Sequence, residues 1–298
     1  MVQKIELRKT RDFSAKINIT FDFIRQNFKI LAKSIIYISG PFILVEGLFM
    51  GIYQQKTLAL GQAPSGIFGD FLSEVFFWFG IAMIFLVFAY ITSLIVVNEF
   101  VRLYEIKEDP TTIEVAEIWE GVKENFFKMF LGGIVVVFLT MIGFVLLVIP
   151  GIYISVTLSL MAPILIIEKR SIREALSRCF SLITEQWWST FGLLIVTSLI
   201  VSFMGFVFQL PQTVFTFLIA FHKTTDSLAE PALWERAGIM VSSVIATIGS
   251  NMLQGIVFLA LIFQFYNLVE RREAQGLMNK LDSFGKTDVN VPRHDETY

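Results

Sequence analysis

The sequence has a single cysteine and only two histidines. The lone Cys179 excludes an intramolecular disulfide framework. His222 and His294 are too few for a histidine-based metal centre or a catalytic triad. A phosphate-binding loop, a dinucleotide fingerprint, a paired-cysteine metal motif and a nucleophile elbow are also missing. The sequence therefore predicts no enzymatic activity, no metal site and no cofactor.

Charge is also scarce. Charged residues make up 17% of the chain, and hydrophobic residues make up 55%. A soluble domain of 298 residues could not bury so many apolar side chains in one core. Apolar stretches of about 17 residues or more recur, which is the length needed to cross a bilayer. The basic residues are separated by these stretches and mixed with acidic ones, so nucleic acid is not an expected partner. We therefore expect an integral membrane protein.

Six membrane spans are predicted, at 30–53, 71–97, 128–149, 151–167, 188–210 and 238–269. All but three of the 24 lysines and arginines lie in the segments that would share one side with the two chain ends. Because basic residues stay in the cytoplasm, both ends are predicted to be cytoplasmic, in a bacterial cytoplasmic (inner) membrane. Pro150-Gly151 predicts a tight outer turn, and Pro211 predicts a break in the fifth span. The short fourth span contains Pro163 and is expected to be tilted, kinked or partly sheltered by neighbouring helices.

An amphipathic segment precedes each predicted pair of spans, and the three segments align without gaps at offsets of 98 and 159 residues. Each has an apolar stripe at helical spacing. The stripes are Ile17, Phe21, Ile24 and Phe28; Val115, Trp119, Val122 and Phe126; and Leu176, Phe180, Ile183 and Trp187. Capping boxes are predicted at Thr111 to Glu114 and at Ser171 to Glu174. The alternative is that any amphipathic helix entering a membrane shows such a stripe.

The predicted fold is an all-α polytopic membrane protein. Its six transmembrane helices form three parallel hairpins, each preceded by an amphipathic interfacial helix. A single transmembrane domain covers 1–275, with repeat units at about 12–97, 111–167 and 171–270, and a disordered cytoplasmic tail covers 276–298.

Further motifs resemble a known membrane domain. They are Pro150-Gly151-Ile152-Tyr153, Ala162-Pro163, Glu168, Ser171, Glu174-Ala175-Leu176, Arg178 and Trp187-Trp188, with a looser match at Phe21, Arg25, Asn27-Phe28 and Pro41. The chain resembles the membrane domain found beside glycerophosphodiester phosphodiesterases, and related uncharacterised six-helix bacterial proteins. The resemblance implies a membrane domain without catalytic residues, because the phosphodiesterase activity of that family belongs to a separate soluble barrel. Family members often have Ser where this chain has Cys179.

Polar residues inside predicted spans are candidate sites, because an unpaired ionisable group is costly there. Glu46 and Glu74 are expected to approach each other and either bind a cation or carry a proton; alternatively, each is hydrated or bonded to a neighbour. Asn251 and Gln254 share one face of the sixth span, where they would bridge helices or line a substrate groove. Gln209 would line the break at Pro211 or cap the helix.

A basic cluster precedes the fifth span, at Lys169, Arg170, Arg173 and Arg178. It would contact anionic lipid, or it would only determine the topology. Together these observations predict a non-enzymatic inner-membrane protein, a scaffold or accessory subunit that binds membrane lipids or another membrane protein. The alternative is a transporter or flippase of a lipid or other amphiphile, with a cavity lined by Glu46, Asn251 and Gln254.

The predicted orientation is testable by cysteine labelling. In a Cys179→Ser background, Thr225→Cys is expected to react with a membrane-impermeant maleimide only from outside, and Glu108→Cys only from the cytoplasm. Labelling of intact cells and of inverted vesicles measures this. Reaction of the Thr225→Cys variant only from the cytoplasmic side would overturn the orientation.

Overall fold

The computed structural model is built of helices. It describes residues 4–60, 68–225 and 232–274 together with residue 278, and these contain no β-strand. The helices are α1 (Phe13–Ser34), α2 (Gly40–Leu60), α3 (Phe68–Ile106), α4 (Val115–Leu146), α5 (Val148–Leu158), α6 (Met161–Ile166), α7 (Ile172–Ile183), α8 (Trp187–Thr225) and α9 (Leu233–Glu273).

Six helical stretches are long and apolar enough to cross a membrane. The predicted all-α fold with six spanning helices is thereby confirmed. The predicted disordered tail, 276–298, lies outside the described residues except for residue 278.

The first predicted interfacial helix is not separate from the first span. Between α1 and α2, residues Ile35–Ser39 form a π-helical turn, in which the Gly40 N–H donates to the Ile35 carbonyl. Pro41 follows and has no N–H to donate to the carbonyl of Tyr37, so the usual bonding pattern cannot continue there. The result is one continuous helical path from the first amphipathic segment into the first span.

The second unit is also continuous, and its start differs from the prediction. The Thr111 hydroxyl donates to Asp109 Oδ1 at 2.7 Å, and α4 begins only at Val115, after Glu114. The Glu117 carboxylate accepts the Glu114 N–H at 3.0 Å, so the predicted box at Thr111 to Glu114 is wrong by three residues. Only in the third unit is the amphipathic segment a helix of its own, α7.

The cap of α7 is the predicted one. Ser171 Oγ accepts the Glu174 N–H at 3.4 Å, and the Glu174 carboxylate accepts the Ser171 N–H at 3.0 Å. These bonds hold the pKa of Glu174 below its usual value. The capping box at Ser171 to Glu174 is confirmed.

The turn between the third and fourth spans consists of Leu147 alone, in an extended conformation. Pro150 and Gly151, predicted as the turn, instead lie in the first turn of α5, where a missing N–H has no bond to lose. Gly143 and Gly151 bring α4 and α5 together, since a Cβ on Gly143 would lie 2.9 Å from the Gly151 Cα.

Two prolines have opposite outcomes. The fourth span bends at Ser159 and Leu160, between α5 and α6, because Pro163 cannot donate to the Ser159 carbonyl; the predicted kink is confirmed. By contrast α8 continues through Pro211, so the predicted break is wrong. A full break in apolar surroundings would leave further backbone groups without partners.

Helices α3 and α9 are two inner helices of the bundle, and the short fourth span, α5 with α6, is buried to a still greater share. Helix α9 packs against α1, α2, α3, α7 and α8, whereas α4 and α8 bury little of their apolar surface in the protein. Consecutive spans are in contact as α2 with α3, α4 with α5, and α8 with α9. Whether these pairs are parallel repeats stays a prediction.

The three amphipathic segments bury corresponding positions beside the apolar stripes, and of the stripe residues only Val122 and Ile183 are buried. At three aligned positions, 98 and 159 residues apart, the residues of all three segments are buried. These positions hold Thr20, Ile118 and Cys179; Phe23, Gly121 and Leu182; and Leu31, Met129 and Thr190. They lie next to the apolar stripes, whose Phe28, Trp119 and Phe180 are exposed. In a bilayer, apolar side chains can face lipid while small and polar ones pack between helices. This explains why the buried positions lie beside the apolar stripes.

The close contact of α2 with α9 should not tolerate a larger residue at Gly47. A Cβ there would lie 2.9 Å from the Val244 Cα, an atom of the backbone that cannot rotate away. Gly47→Val is expected to destabilise the protein by roughly 1–3 kcal/mol and to lower the thermal midpoint in detergent.

The matched control is Gly80→Val on α3, where a Cβ would meet no described atom within 4 Å. Equal thermal midpoints for the two variants would contradict the close packing of α2 on α9.

Candidate functional site

The predicted polar residues Glu46 and Asn251 meet between α2 and α9. Asn251 Nδ2 donates to Glu46 Oε2 at 3.4 Å and to the Thr247 carbonyl at 3.0 Å. Glu46 is buried, and the Ser243 hydroxyl donates to the Gly47 carbonyl one residue further on. The amide thus bridges two helices, which is one of the two interpretations left open above; a cation or proton role for Glu46 stays a prediction.

Glu74 is not part of this contact. Its carboxylate forms an ion pair with Lys56 at 2.6 Å, and both side chains are partly exposed. Lys56 lies ten residues beyond Glu46, so its Cα is about 15 Å further along α2. The expected approach of Glu74 to Glu46 is therefore wrong.

The two predicted glutamines have different surroundings. Gln209 Nε2 donates to Ser250 Oγ at 3.4 Å, so it joins α8 to α9 and does not line a helix break. Gln254 is half-buried and does not join Glu46 and Asn251.

The basic cluster is divided between protein contacts and open surface. Arg178 bonds to Glu168 at 2.9 Å and to Glu273 at 2.5 Å, joining the end of α6, α7 and the end of α9. Burial disfavours the charged guanidinium, but the two carboxylates outweigh it and raise the pKa of Arg178. Arg170 also bonds to Glu168, at 2.6 Å, and Lys169 lies 4.0 Å from Glu124, whereas Arg173 is exposed.

A buried lysine was missed by the sequence analysis. Lys16 on α1 is 2% exposed, and its Nζ donates to Gln264 Oε1 at 2.7 Å and to Ser189 Oγ at 2.9 Å. Gln264 Nε2 in turn donates to Thr190 Oγ1. From the sequence, Lys16 is one of the basic residues of the segment before the first span, and nothing in the pattern around it indicates burial.

A buried carboxylate was missed as well. Glu99 on α3 bonds to Arg102 at 2.6 Å and accepts from Asn125 Nδ2 at 2.8 Å. It lies against Gly121 of α4, where a Cβ would be 2.5 Å from the Glu99 side chain. The predicted second span ends at 97, so the sequence places Glu99 in the segment after it. Extending the predicted helix by one turn would include Glu99 and make it a candidate intramembrane acid.

An apolar groove, not foreseen from the sequence, lies on the side of the bundle. We call it the lateral groove. It consists of two adjoining cavities of about 280 Å³ and 400 Å³, which share Ile35 and Met252 in their walls. One wall is α1 with the start of α2, and the other is α9, joined by Met204 and Phe208 of α8. No charged residue is among its described lining residues.

The groove exists because α1 leaves α8 after its first turns. Near their starts the two helices touch, at Lys16 with Ser189 and at Phe13 with Gly192. Further along, the groove separates them, and Phe21, Ile24 and Phe28 of the predicted apolar stripe line it. Phe28 is 55% exposed, so the groove is open on that side.

No metal-binding cluster is found among the residues described: nowhere do three or more His, Cys, Asp or Glu side chains gather. Cys179 is buried, and burial raises the pKa of its thiol to about 12, which keeps it a poor nucleophile at neutral pH.

Arg178 is expected to support the structure rather than to bind lipid. Arg178→Gln removes the cation that joins Glu168 to Glu273 and should cost roughly 2 kcal/mol, measured as a lower thermal midpoint in detergent. Arg173→Gln, at an exposed position one turn away, should change stability by less than about 0.5 kcal/mol. A larger loss for Arg173→Gln would show that the assignment is reversed.

No family model, curated protein or solved structure matches the chain, so its resemblance to the phosphodiesterase-associated membrane domain stays a prediction.

Proposed function

We propose that this chain is a non-enzymatic inner-membrane protein that acts as a lipid-binding scaffold or accessory subunit, with both ends in the cytoplasm. The observation that carries the proposal is the lateral groove. Its walls are apolar, it opens to the side of the bundle, and it is formed where α1 and the start of α2 meet α8 and α9 from the other end of the chain.

The dimensions of the groove support a lipid chain as its occupant. Along α9 its lining extends from Ile248 to Leu259, a distance of eleven helical rises or about 17 Å. One leaflet of a hydrocarbon core about 30 Å thick has a similar depth. A cavity of this polarity holds hydrocarbon better than water, because Tyr37 is the one polar side chain among its described lining residues.

A partner protein is part of the same proposal. Helices α4 and α8 lie at the edge of the bundle, and Phe203 of α8 and Val145 of α4 are among their most exposed apolar residues. Lipid covers such faces in an isolated protein, and a second membrane protein with a matching face can replace it.

A transporter or flippase remains the alternative. It predicted a cavity lined by Glu46, Asn251 and Gln254, and none of these lines the lateral groove. The groove therefore favours lipid binding over transport through that set of residues.

Filling the groove is the direct test. Ala32 of α1 is in its wall, and Ala32→Phe adds a ring where a lipid chain would lie. The variant is expected to bind lipid at least tenfold more weakly, because losing about 1.4 kcal/mol of contact free energy lowers affinity tenfold. Lipid titration in mild detergent followed by native mass spectrometry measures the affinity.

The matched control is Ala220→Phe, which adds the same ring at an exposed position of α8 outside the groove. It should bind lipid as the unmodified chain does. Equal lipid binding by the unmodified chain and both variants would overturn the groove as the binding site.

A further inference from the structure

The border of the lateral groove on α1 is basic. Arg25 is four residues from Phe21 and three from Phe28, and Lys29 is three from Ala32, so each is a helix-surface neighbour of residues that line the groove. Both basic side chains are exposed. A hydrocarbon-lined groove thus has two cations at its edge.

These two cations have no ion pair within the part of the chain that the structure describes. The basic cluster before α8 differs, because Arg170 and Arg178 are bonded to Glu168. Asp22 also lies on the exposed face of α1 but forms no ion pair with Arg25, which leaves the border with a net positive charge.

The level of this border in the membrane follows from the contacts of α1. Lys16 bonds to Ser189 near the start of α8, and Phe23 packs on Tyr104 near the end of α3 and on Phe263 in the last third of α9. All of these helix ends are on one face of the bundle. The exposed side of α1 therefore lies where lipid headgroups are, and the groove leads from there towards the middle of the membrane.

We infer that the lateral groove is a site for an anionic phospholipid, with its phosphate on Arg25 and Lys29 and an acyl chain between α1, α8 and α9. The inference rests on the proposed lipid-binding function and adds the headgroup class and the residues that select it. An acidic headgroup is favoured because guanidinium and ammonium donors form charge-assisted bonds to phosphate, and a net negative lipid also neutralises the border.

The test compares two lipids with matched acyl chains, phosphatidylglycerol and phosphatidylcholine, titrated into the full chain in mild detergent and followed by native mass spectrometry. The unmodified chain is expected to prefer phosphatidylglycerol. The double variant Arg25→Gln with Lys29→Gln should lose about 30-fold of this preference while retaining phosphatidylcholine. Retained phosphatidylcholine also shows that the variant is folded.

The matched control is Lys169→Gln with Arg173→Gln, which removes one lysine and one arginine charge from the cluster before α8. It should leave the preference for phosphatidylglycerol unchanged. Loss of the preference in the control alone would place the headgroup at that cluster and overturn the inference. An unchanged preference in both variants would overturn it as well.

The groove-filling variant Ala32→Phe separates this inference from the proposed function. If that variant loses both lipids while the Arg25 and Lys29 double variant keeps full preference, the groove binds lipid without headgroup selection, and only the inference fails. If Ala32→Phe loses neither lipid, the proposed function fails.

Discussion

Phe23 holds α1 on the bundle, because its ring packs edge-on against three aromatic rings of the inner helices α3 and α9. The ring centroids lie 5.9 Å from Phe100, 4.8 Å from Tyr104 and 5.6 Å from Phe263. Such contacts have specific geometry and contribute about 0.5–1.5 kcal/mol each beyond buried area. The buried Lys16, bonded to Ser189 and Gln264, holds α1 against the same bundle. Because α1 is one wall of the lateral groove and carries its basic border at Arg25, both features depend on the position that Phe23 fixes.

Polar contacts add to this position at the same end of the bundle. Glu105 at the end of α3 accepts from Arg8 at 2.7 Å and from the Tyr266 hydroxyl at 2.6 Å, and the Arg11 N–H donates to Asn267. The segment before α1 thereby crosses from α3 to α9. Apolar helices gain little from association in a bilayer, since lipid tails are as apolar as leucine. Directional bonds of this kind therefore select which helices meet, and the packing of Phe23 tightens a contact already specified.

The six spans could be predicted from the sequence, because a helix crosses the hydrocarbon core only if it is long and apolar, and mean hydropathy over a segment reports both properties. Helix ends were harder to predict, although the capping box of α7 at Ser171 was correct. Helix α8 continues through Pro211 because continuing a helix in apolar surroundings costs less than exposing its backbone groups. Pro150 lies just after the turn at Leu147, because a missing N–H has no bond to lose in the first turn of a helix. The pairing of Glu46 with Asn251 could have been expected, because a polar side chain inside a span needs a hydrogen-bond partner. The exposure of Phe28 fits an amphipathic helix whose apolar stripe meets lipid, since lipid accepts the side chains that water would reject. The groove could not be predicted, as its walls come from opposite ends of the chain.

The proposed lipid and the packing of α1 are thermodynamically linked. A lipid chain in the groove would touch α1 through Ala32 and Phe28 and the rest of the bundle through Met252 and Phe208, so it binds only when α1 is in place. Any ligand that binds one arrangement and not another stabilises that arrangement by mass action. An anionic lipid at Arg25 would thus strengthen the contact made by Phe23, and loss of that contact would weaken lipid binding to the same extent. In the proposed scaffold, lipid composition would therefore be coupled to the position of α1 on the bundle.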